Sequence, residues 1–352
     1  MTERLPPISF YIPQCYWPET MPSGVEDNWK GFGIGIYAWT LQTYLRLKAD
    51  GFPCQLVGKL PDEGIVVLHS NALRAHKKNL KPGANLLLVC QKAELGPYAY
   101  AQLHVVQNPN EVRTLRQSYY LPHWSQPALI KRDPARGDRF ENIAFFGHQI
   151  NLASELLTPA WHEQLNALGL RWQAIVSCNR WDNYHQINGN WNDYSQIDAV
   201  VAVRSFSRQQ LYLSQNYISK PATKLYNAWL AEVPAVLGIE SAYRAERKSR
   251  LDYLEATTPT EVISALKRLR DEPALRQSMV KNGQVRAHAI QPSETTIRWR
   301  RFLEEIAVPA YYNWRKTPRW SQKAILGRNY LACKMKRAQY IGRNELSKML
   351  FS

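Results

Sequence analysis

The sequence predicts an α/β protein of two Rossmann-like domains facing across a cleft, with a C-terminal helix crossing back and a basic helical tail. Three observations carry this. Strand-like apolar runs alternate with helical patterns almost from start to finish, the mark of parallel βαβ construction. The alternation is interrupted once, at Leu121–Asp138 (LPHWSQPALIKRDPARGD), and then restarts. A length of 352 residues is also too great for one ordinary core and suits two.

Ile8–Pro13 reads as the first strand, followed by a long loop to Lys30. Gly31-Phe-Gly-Ile-Gly35 then opens a helix through about Asp50, with Ile36, Trp39, Leu41, Tyr44, Leu45 and Leu47 at near-helical spacing. Strands are expected at Cys54–Val57, Ile65–His69, Asn85–Cys90 and Leu103–Gln107, with short helices between them, as at Asn71–Asn79. Leu121–Asp138 holds three prolines and no helical period, so it reads as a linker. The expected division is a first domain over 1–125, a linker over 126–140 and a second domain over 141–292.

The second domain opens with strand Asn142–Gly147, glycine at its carboxyl end. Helix Leu156–Leu168 and strands Arg171–Val176 and Asp198–Val203 follow. Next come helix Pro221–Ala231, strand Pro234–Gly238, helix Ser241–Lys248, strand Asp252–Ala256, and helices Pro259–Arg270 and Glu272–Ala287. A long helix from Ser293 to about Asn313 has room to cross back onto the first domain, giving a crossover segment over 293–314 and a tail over 315–352.

Composition narrows the class. Hydrophobic residues at 45% and charged residues at 21% belong to a folded chain, not a disordered one. No stretch approaches the ~18–20 apolar residues of a membrane span, and Met1–Pro7 lacks the apolar core of a signal peptide. Cys15, Cys54, Cys90, Cys178 and Cys333 are dispersed without CxxC spacing, as expected of reduced thiols in a cytosol. The expected location is therefore cytoplasmic. The net charge is +16, and the tail from Arg315 onward holds ten basic residues against the single acid Glu345. With Trp320, Ile325, Leu326, Tyr330 and Leu331 between the charges, the tail suits an anionic membrane surface, peripherally on the inner face. It reads equally well as a solvated helical extension. Nucleic acid is not an expected partner, because the charge is concentrated in the tail and no recognised binding motif is present.

In open parallel sheets, ligands bind beyond the carboxyl ends of the strands, and two such sheets place their site in the cleft between them. The most informative segment is Lys220–Arg244 (KPATKLYNAWLAEVPAVLGIESAYR). Pro221 suits an early helical position, and Thr223 and Lys224 fall in the first turn. Unpaired N–H groups and the positive dipole end make such a helix start a seat for phosphate, to which Lys220 and Lys224 add two charges. Taken alone, the segment also reads as an ordinary helix with solvated lysines.

A lysine-rich helix start, an apolar helix, the run AWLAEVPAV and a second short helix together resemble the donor-binding half of GT-B glycosyltransferases. There the matching stretch ends in a G-V-P-V-V-like strand. LPHWSQPALIKRDPARGDRFENIAFFG and the Lys220–Arg244 run are also similar to bacterial, especially cyanobacterial, glycosyltransferase-like proteins. The architectural resemblance covers roughly residues 8 to 313; the motif is confined to the second half. It implies a nucleotide-diphosphate-sugar such as a UDP-sugar, held by the second domain as co-substrate. The acceptor, a glycan, lipid or small molecule, would sit on the first domain, with no other cofactor and no metal. Many retaining members carry two glutamates seven residues apart, and here Lys220 and Asn227 stand near those places, with Asn227 toward the donor sugar or nucleotide. Glu232 and Glu240 align with neither, so the anomeric outcome stays open.

Other strand ends fit the same cleft. Gly147-His148 closes the first strand of the second domain, where glycine lets backbone approach a phosphate; a simple turn is the alternative. Arg204 follows the strand ending at Val203 and could meet the diphosphate, or lie on the surface. Tyr243 and Arg244 could contact the donor, or merely belong to the helix start. In the first domain, Gly33 and Gly35 are weak as a dinucleotide fingerprint. The acid required at the next strand end is replaced by Gly58-Lys59, which argues against an NAD enzyme. The GT-B resemblance implies instead that these glycines let the loop come close to the donor sugar. It also implies that His69, at a strand tip, points at the reacting sugar as donor or base. Glu26 and Asp27, in the loop after the first strand, are the alternative bases. Asn179–Trp191, rich in Trp, Tyr, His and Asn, suits sugar stacking or a packed surface loop. No metal cluster, Ser-His-Asp pattern or Walker loop stands in the sequence. The expected activity is metal-independent sugar transfer, the alternative a GT-B-like binding or scaffold protein with a degenerate donor site.

Overall fold

The computed structural model of the chain describes residues 5–75, 81–177, 185 and 187–351. Its first half forms one six-stranded sheet from β1 (Ile8–Tyr11), β2 (Gln55–Val57), β3 (Gly64–His69), β4 (Leu86–Gln91), β5 (Leu103–Val106) and β6 (Ser118–Tyr120). The spatial order is β2-β1-β3-β4-β5-β6, and every pairing is parallel. All residues of β3 (GIVVLH) and β4 (LLLVCQ) are buried, which is why these strands read as continuous apolar runs without alternation. Helix α1 (Gln42–Ala49) continues a helical path begun at Gly35, with a wide π-type turn over Tyr37–Leu41.

The second half forms a five-stranded parallel sheet from β7 (Asn142–His148), β8 (Arg171–Ser177), β9 (Ala199–Ala202), β10 (Ala235–Leu237) and β11 (Leu254–Glu255). The order is β11-β10-β9-β7-β8. Its helices are α2 (Pro159–Ala167), α3 (Arg208–Ser214), α4 (Thr223–Leu230), α5 (Ser241–Glu246), α6 (Pro259–Asp271) and α7 (Pro273–Ala287). Helix α2 starts later than the apolar pattern suggests because Thr158 caps it, its hydroxyl accepting from the Trp161 N–H at 3.2 Å, and Pro159 fills the first turn. Helix α4 buries Leu225, Tyr226, Ala228 and Trp229 against the sheet and α7. At that contact a Cβ on Gly283 would come within 3.1 Å of the Trp229 ring, so the glycine permits the close crossing.

The latter part of the linker is fastened to the second domain. Arg136 grips buried Asp198, just before β9, through two hydrogen bonds of 2.9 and 2.7 Å. Asp198 also accepts from Arg132 and from the backbone N–H groups of Glu141 and Asn142.

The chain then crosses back. Helices α8 (Pro292–Arg301) and α9 (Val308–Lys316) are joined by a π-type turn over Phe302–Ala307, next to Pro309, which has no N–H to continue a regular ladder. Trp299, Phe302, Leu303, Ala307, Tyr311 and Trp314 enter the same core as Phe10, Leu47, Val67 and Val89 of the first domain. The tail is one long helix, α10 (Arg319–Leu350). It is packed along one side: Leu326 is buried, Tyr330 stacks on Tyr100, and Lys336 donates to the Thr114 carbonyl. Its far end reaches α3, where Phe351 meets Tyr212. Among the described residues, no helix is long and apolar enough to cross a membrane.

Candidate functional site

A cavity of about 710 Å³ lies between the two sheets, at the carboxyl ends of β3 and β4 on one side and of β7 and β9 on the other. That volume lies within the usual range for small-molecule sites.

The second-domain wall is built around the start of α4. Ala222, at the N-cap, has no side chain to satisfy the first N–H groups, and the first turn holds no acid. The exposed dipole end is therefore left for something else. Thr223 places its Oγ1 there, buried and without a hydrogen-bond partner among the described residues. Lys224 extends from the same turn over the Phe145 ring, its Nζ 3.1 Å from where a Cβ on Gly147 would stand. Gly147 has a φ of +142°, so a side chain there would both strain the backbone and displace the lysine. Beside it, Arg204 forms an ion pair of 2.8 Å with buried Glu240 and a hydrogen bond to Asn151.

Three cations crowd this wall. Burial, followed by the Arg204 charge, pulls the Lys224 ammonium down to about 7. Lys220 is lowered for the same two reasons, although Glu94 opposes them. Burial pushes the Glu240 carboxyl up, while Arg204 pulls it back. Such a cluster holds more positive charge than its carboxylates compensate and is suited to an anion with several negative oxygens.

The first-domain wall carries histidines and small residues. His69 ends β3 with its Nδ1 accepting from the Asn71 N–H at 3.0 Å, so the neutral ring carries its proton on Nε2. A Cβ on Gly35 would stand 3.4 Å from that ring edge. The Gly33 carbonyl accepts from His148 Nε2–H across the cleft at 3.1 Å, which joins the two domains directly. His148 Nδ1 is then a buried acceptor without a hydrogen-bond partner among the described residues, and burial lowers its pKa. His123, from the linker, donates from Nδ1 to the Trp124 carbonyl at 2.6 Å and stands edge-on to Trp39 at 4.0 Å. Burial holds it neutral, its pKa pushed down to about 4. Glu94, past the end of β4, pairs with Lys220.

The structure thus brings Gly33, Gly35, His69, Gly147, His148, Arg204, Lys220, Thr223, Lys224 and Asn227 to one cavity. Asn227 is largely committed elsewhere: its Oδ1 accepts from the Gln126 N–H at 2.9 Å and ties the linker to α4. Four expected residues do not reach the cavity. Tyr243 is fully buried behind it, against Tyr253, because the short helix α5 turns that ring toward the core. Arg244 faces the other way and grips Glu255 with two hydrogen bonds of 2.8 and 2.7 Å. Glu26 is exposed and accepts from the Ala128 N–H, while Asp27 closes its own turn on Ser23 and Gly24. In the aromatic segment Asn179–Trp191, residues 179–184 and 186 lie outside the described residues; Trp191 lines the cavity. Glu94, His123 and Trp39 also line it without having been expected, although the strand-end rule that selects His69 would equally select Glu94. Among the described residues, no three His, Cys, Asp or Glu side chains cluster closely enough to hold a metal ion.

No family model matches the chain, and no curated protein does. Solved structures do match. Sucrose-phosphate synthase from Thermosynechococcus elongatus is 11% identical over 86% of this chain and 99% of its own, with a TM-score of 0.53. The Anabaena protein HepE, solved with UDP-glucose, is 12% identical over 86% of this chain and 100% of its own, with a TM-score of 0.50. At such identities the likeness carries the fold: this chain has the GT-B architecture of two parallel α/β domains facing across a cleft, as its second-half motif implies.

Proposed function

We propose that the protein transfers a sugar from a nucleoside-diphosphate-sugar to an acceptor hydroxyl. The observation that carries this reading is the uncapped start of α4, where Thr223 Oγ1 and Lys224 stand beside Gly147 on one wall of a cavity of nucleotide-sugar size. The diphosphate would sit on the α4 N–H groups, Thr223, Lys220, Lys224 and the Arg204 edge. In the reaction, the bond from the sugar C1 to the β-phosphate oxygen breaks and the diphosphate leaves with the electron pair. The acceptor oxygen bonds to C1, and its proton passes to an oxygen of the leaving diphosphate or to solvent. Charge develops on the leaving diphosphate, and preorganised lysines and a helix dipole stabilise it most where water is excluded, taking the part a metal ion would otherwise play. His69 lines the opposite wall and would meet the sugar or the acceptor there. The structure of Anabaena HepE with UDP-glucose supports a UDP-sugar as donor. The dispersed free thiols Cys15, Cys54, Cys90 and Cys333 suit a reducing cytosol.

Thermal-shift screening against a panel of nucleoside diphosphates and their sugars tests the reading. We expect stabilisation by a uridine or other nucleoside diphosphate and release of that diphosphate from its sugar on incubation with acceptor glycans or lipids. No shift with any nucleotide would point instead to a binding protein with a lost donor site.

A further inference from the structure

Helix α10 is about 48 Å long at 1.5 Å per residue, and only one of its faces is used by the fold. That face carries Gln322, Leu326, Cys333, Lys336 and Ser347, which are buried or half-buried against the two domains. The opposite face is a continuous ridge of small and apolar residues at steps of three and four: Trp320, Ala324, Gly327, Leu331, Met335, Ala338, Gly342, Leu346 and Met349. Steps of three and four keep a stripe on one side of a helix. Every member of the ridge is exposed, the largest ones heavily so: Trp320 at 74%, Leu331 at 63%, Met335 at 65% and Met349 at 78%. Isolated exposed apolar residues are ordinary, but a ridge running the whole length of a helix is not.

The charges beside the ridge identify what covers it. Lys323, Arg328, Lys334, Arg337 and Lys348 are exposed, and Glu345, paired with Lys348, is the sole acid in the helix. A second copy of α10 laid on this ridge would set one strongly basic helix against another. An anionic bilayer surface instead accepts the apolar ridge among its acyl chains and the cations among its headgroups. We propose that the outward face of α10 docks on an anionic lipid surface, lying flat in the membrane interface. This reading is independent of the sugar-transfer chemistry. It also places the cavity near the membrane, because α10 ends against α3, whose Gln210 lines the cleft.

The test uses the full chain and vesicles of phosphatidylcholine alone or with about 30% phosphatidylglycerol, followed by sedimentation. We expect at least about tenfold stronger binding to the anionic vesicles, weakened by salt at several times physiological strength because surface charge is screened. The double substitution Leu331→Glu and Met335→Glu, at exposed positions, should reduce that binding about tenfold or more while the melting temperature stays unchanged. A milder pair, Leu331→Ser and Met335→Ser, serves if the first loses stability. Equal sedimentation of wild type and variants, or no binding by the wild type, overturns the proposal. So does a lipid-free dimer that the substitutions dissociate while vesicles bind nothing, which would make the ridge a contact between copies.

Discussion

Glu94, three residues past the end of β4, forms an ion pair with Lys220, three residues before α4, so that a first-domain carboxylate occupies one of the cations expected to bind phosphate. Lys220, Arg204 and Lys224 hold its carboxyl below the usual range, outweighing the partial desolvation that opposes them. The pair spans the cleft, and a diphosphate seated at α4 has to displace Glu94 or share the lysine with it.

Replacing the carboxylate removes that competitor. Glu94→Gln should tighten nucleoside-diphosphate binding by about two- to fivefold, the scale of a partly exposed ion pair. Calorimetric titration measures it. Weaker binding in the variant would mean that Glu94 holds Lys220 in place for the phosphate and does not compete with it.

Lys224 supplies a pH signature. Burial and the Arg204 charge pull its ammonium down to about 7, against an ordinary value of 10.5. Between those two values the folded protein binds fewer protons at this group than the unfolded chain, so its contribution to stability rises with pH across that window. A diphosphate reverses the balance by favouring the charged form. At about pH 8 the ligand itself is fully ionised, and binding should take up close to one proton, seen as a buffer-dependent heat in calorimetry. Affinity should fall as pH rises from 7 toward 9. Lys224→Ala should abolish the uptake and weaken binding by ~1.5–3 kcal/mol, the range for a hydrogen bond to a charged group. Unchanged affinity in both Lys220→Ala and Lys224→Ala would remove the diphosphate from this wall.

The parts of this site that are legible in the sequence are those that obey a local rule. Lys224 and Thr223 begin an apolar helix just after Pro221, and Gly147 and His69 end apolar runs; period and punctuation alone bring them forward. Residues that matter only through long-range contact are not visible that way. Glu94 and Lys220 are 126 positions apart and meet because two sheets face each other. His123 lies in the linker and reaches the cavity through the linker's path beside Trp39. Tyr243 shows the opposite error, since a strand-end position does not say which way a six-residue helix turns its ring. Strand β6, only three residues long, is too short to show any period. The tail reads as amphipathic, yet only packing distinguishes the Tyr330–Lys336 side, held by Tyr100 and Thr114, from the exposed ridge.

The linker's attachment also has a pH dependence. Burial would raise the Asp198 carboxyl, but Arg136 and the N–H groups of Asn142 and Glu141 outweigh it and hold it low. A carboxyl with a depressed folded pKa contributes stability above its unfolded value, lost as pH falls through the folded one. Asp198→Ala leaves buried Arg136 with only Gln196 and a looser ion pair to Glu141, and should cost roughly 3 kcal/mol near neutrality, the low end for a broken buried pair. Urea denaturation should show the difference from wild type shrinking as the pH is lowered through the carboxylate range. A difference that persists undiminished in strong acid would assign it to lost packing.

The last prediction concerns His69, which lines the cavity on the wall opposite Lys224. With the Asn71 N–H on Nδ1, the neutral ring carries its proton on Nε2, which packs beside Gly35 at the cavity wall. A donor at that point can hold a sugar hydroxyl or the acceptor oxygen, and its value is greatest if the contact tightens as the glycosidic bond breaks. An interaction made only in the transition state lowers kcat and kcat/KM together when it is removed, and leaves ground-state binding alone. His69→Ala should therefore reduce turnover by about 10²–10³-fold, the range for removing one donor aimed at developing charge. Affinity for the nucleoside diphosphate should change less than about twofold, because the diphosphate contacts belong to the other domain. His69→Gln, which keeps an N–H donor but cannot exchange a proton near neutrality, separates the two roles. Substantial recovery of turnover in the glutamine variant assigns the ring to hydrogen bonding, and none would require the ring to give up the Asn71 contact and exchange a proton. Full turnover in the alanine variant would leave His69 a packed histidine at the tip of β3, with the catalytic group to be sought at His123 or Glu94.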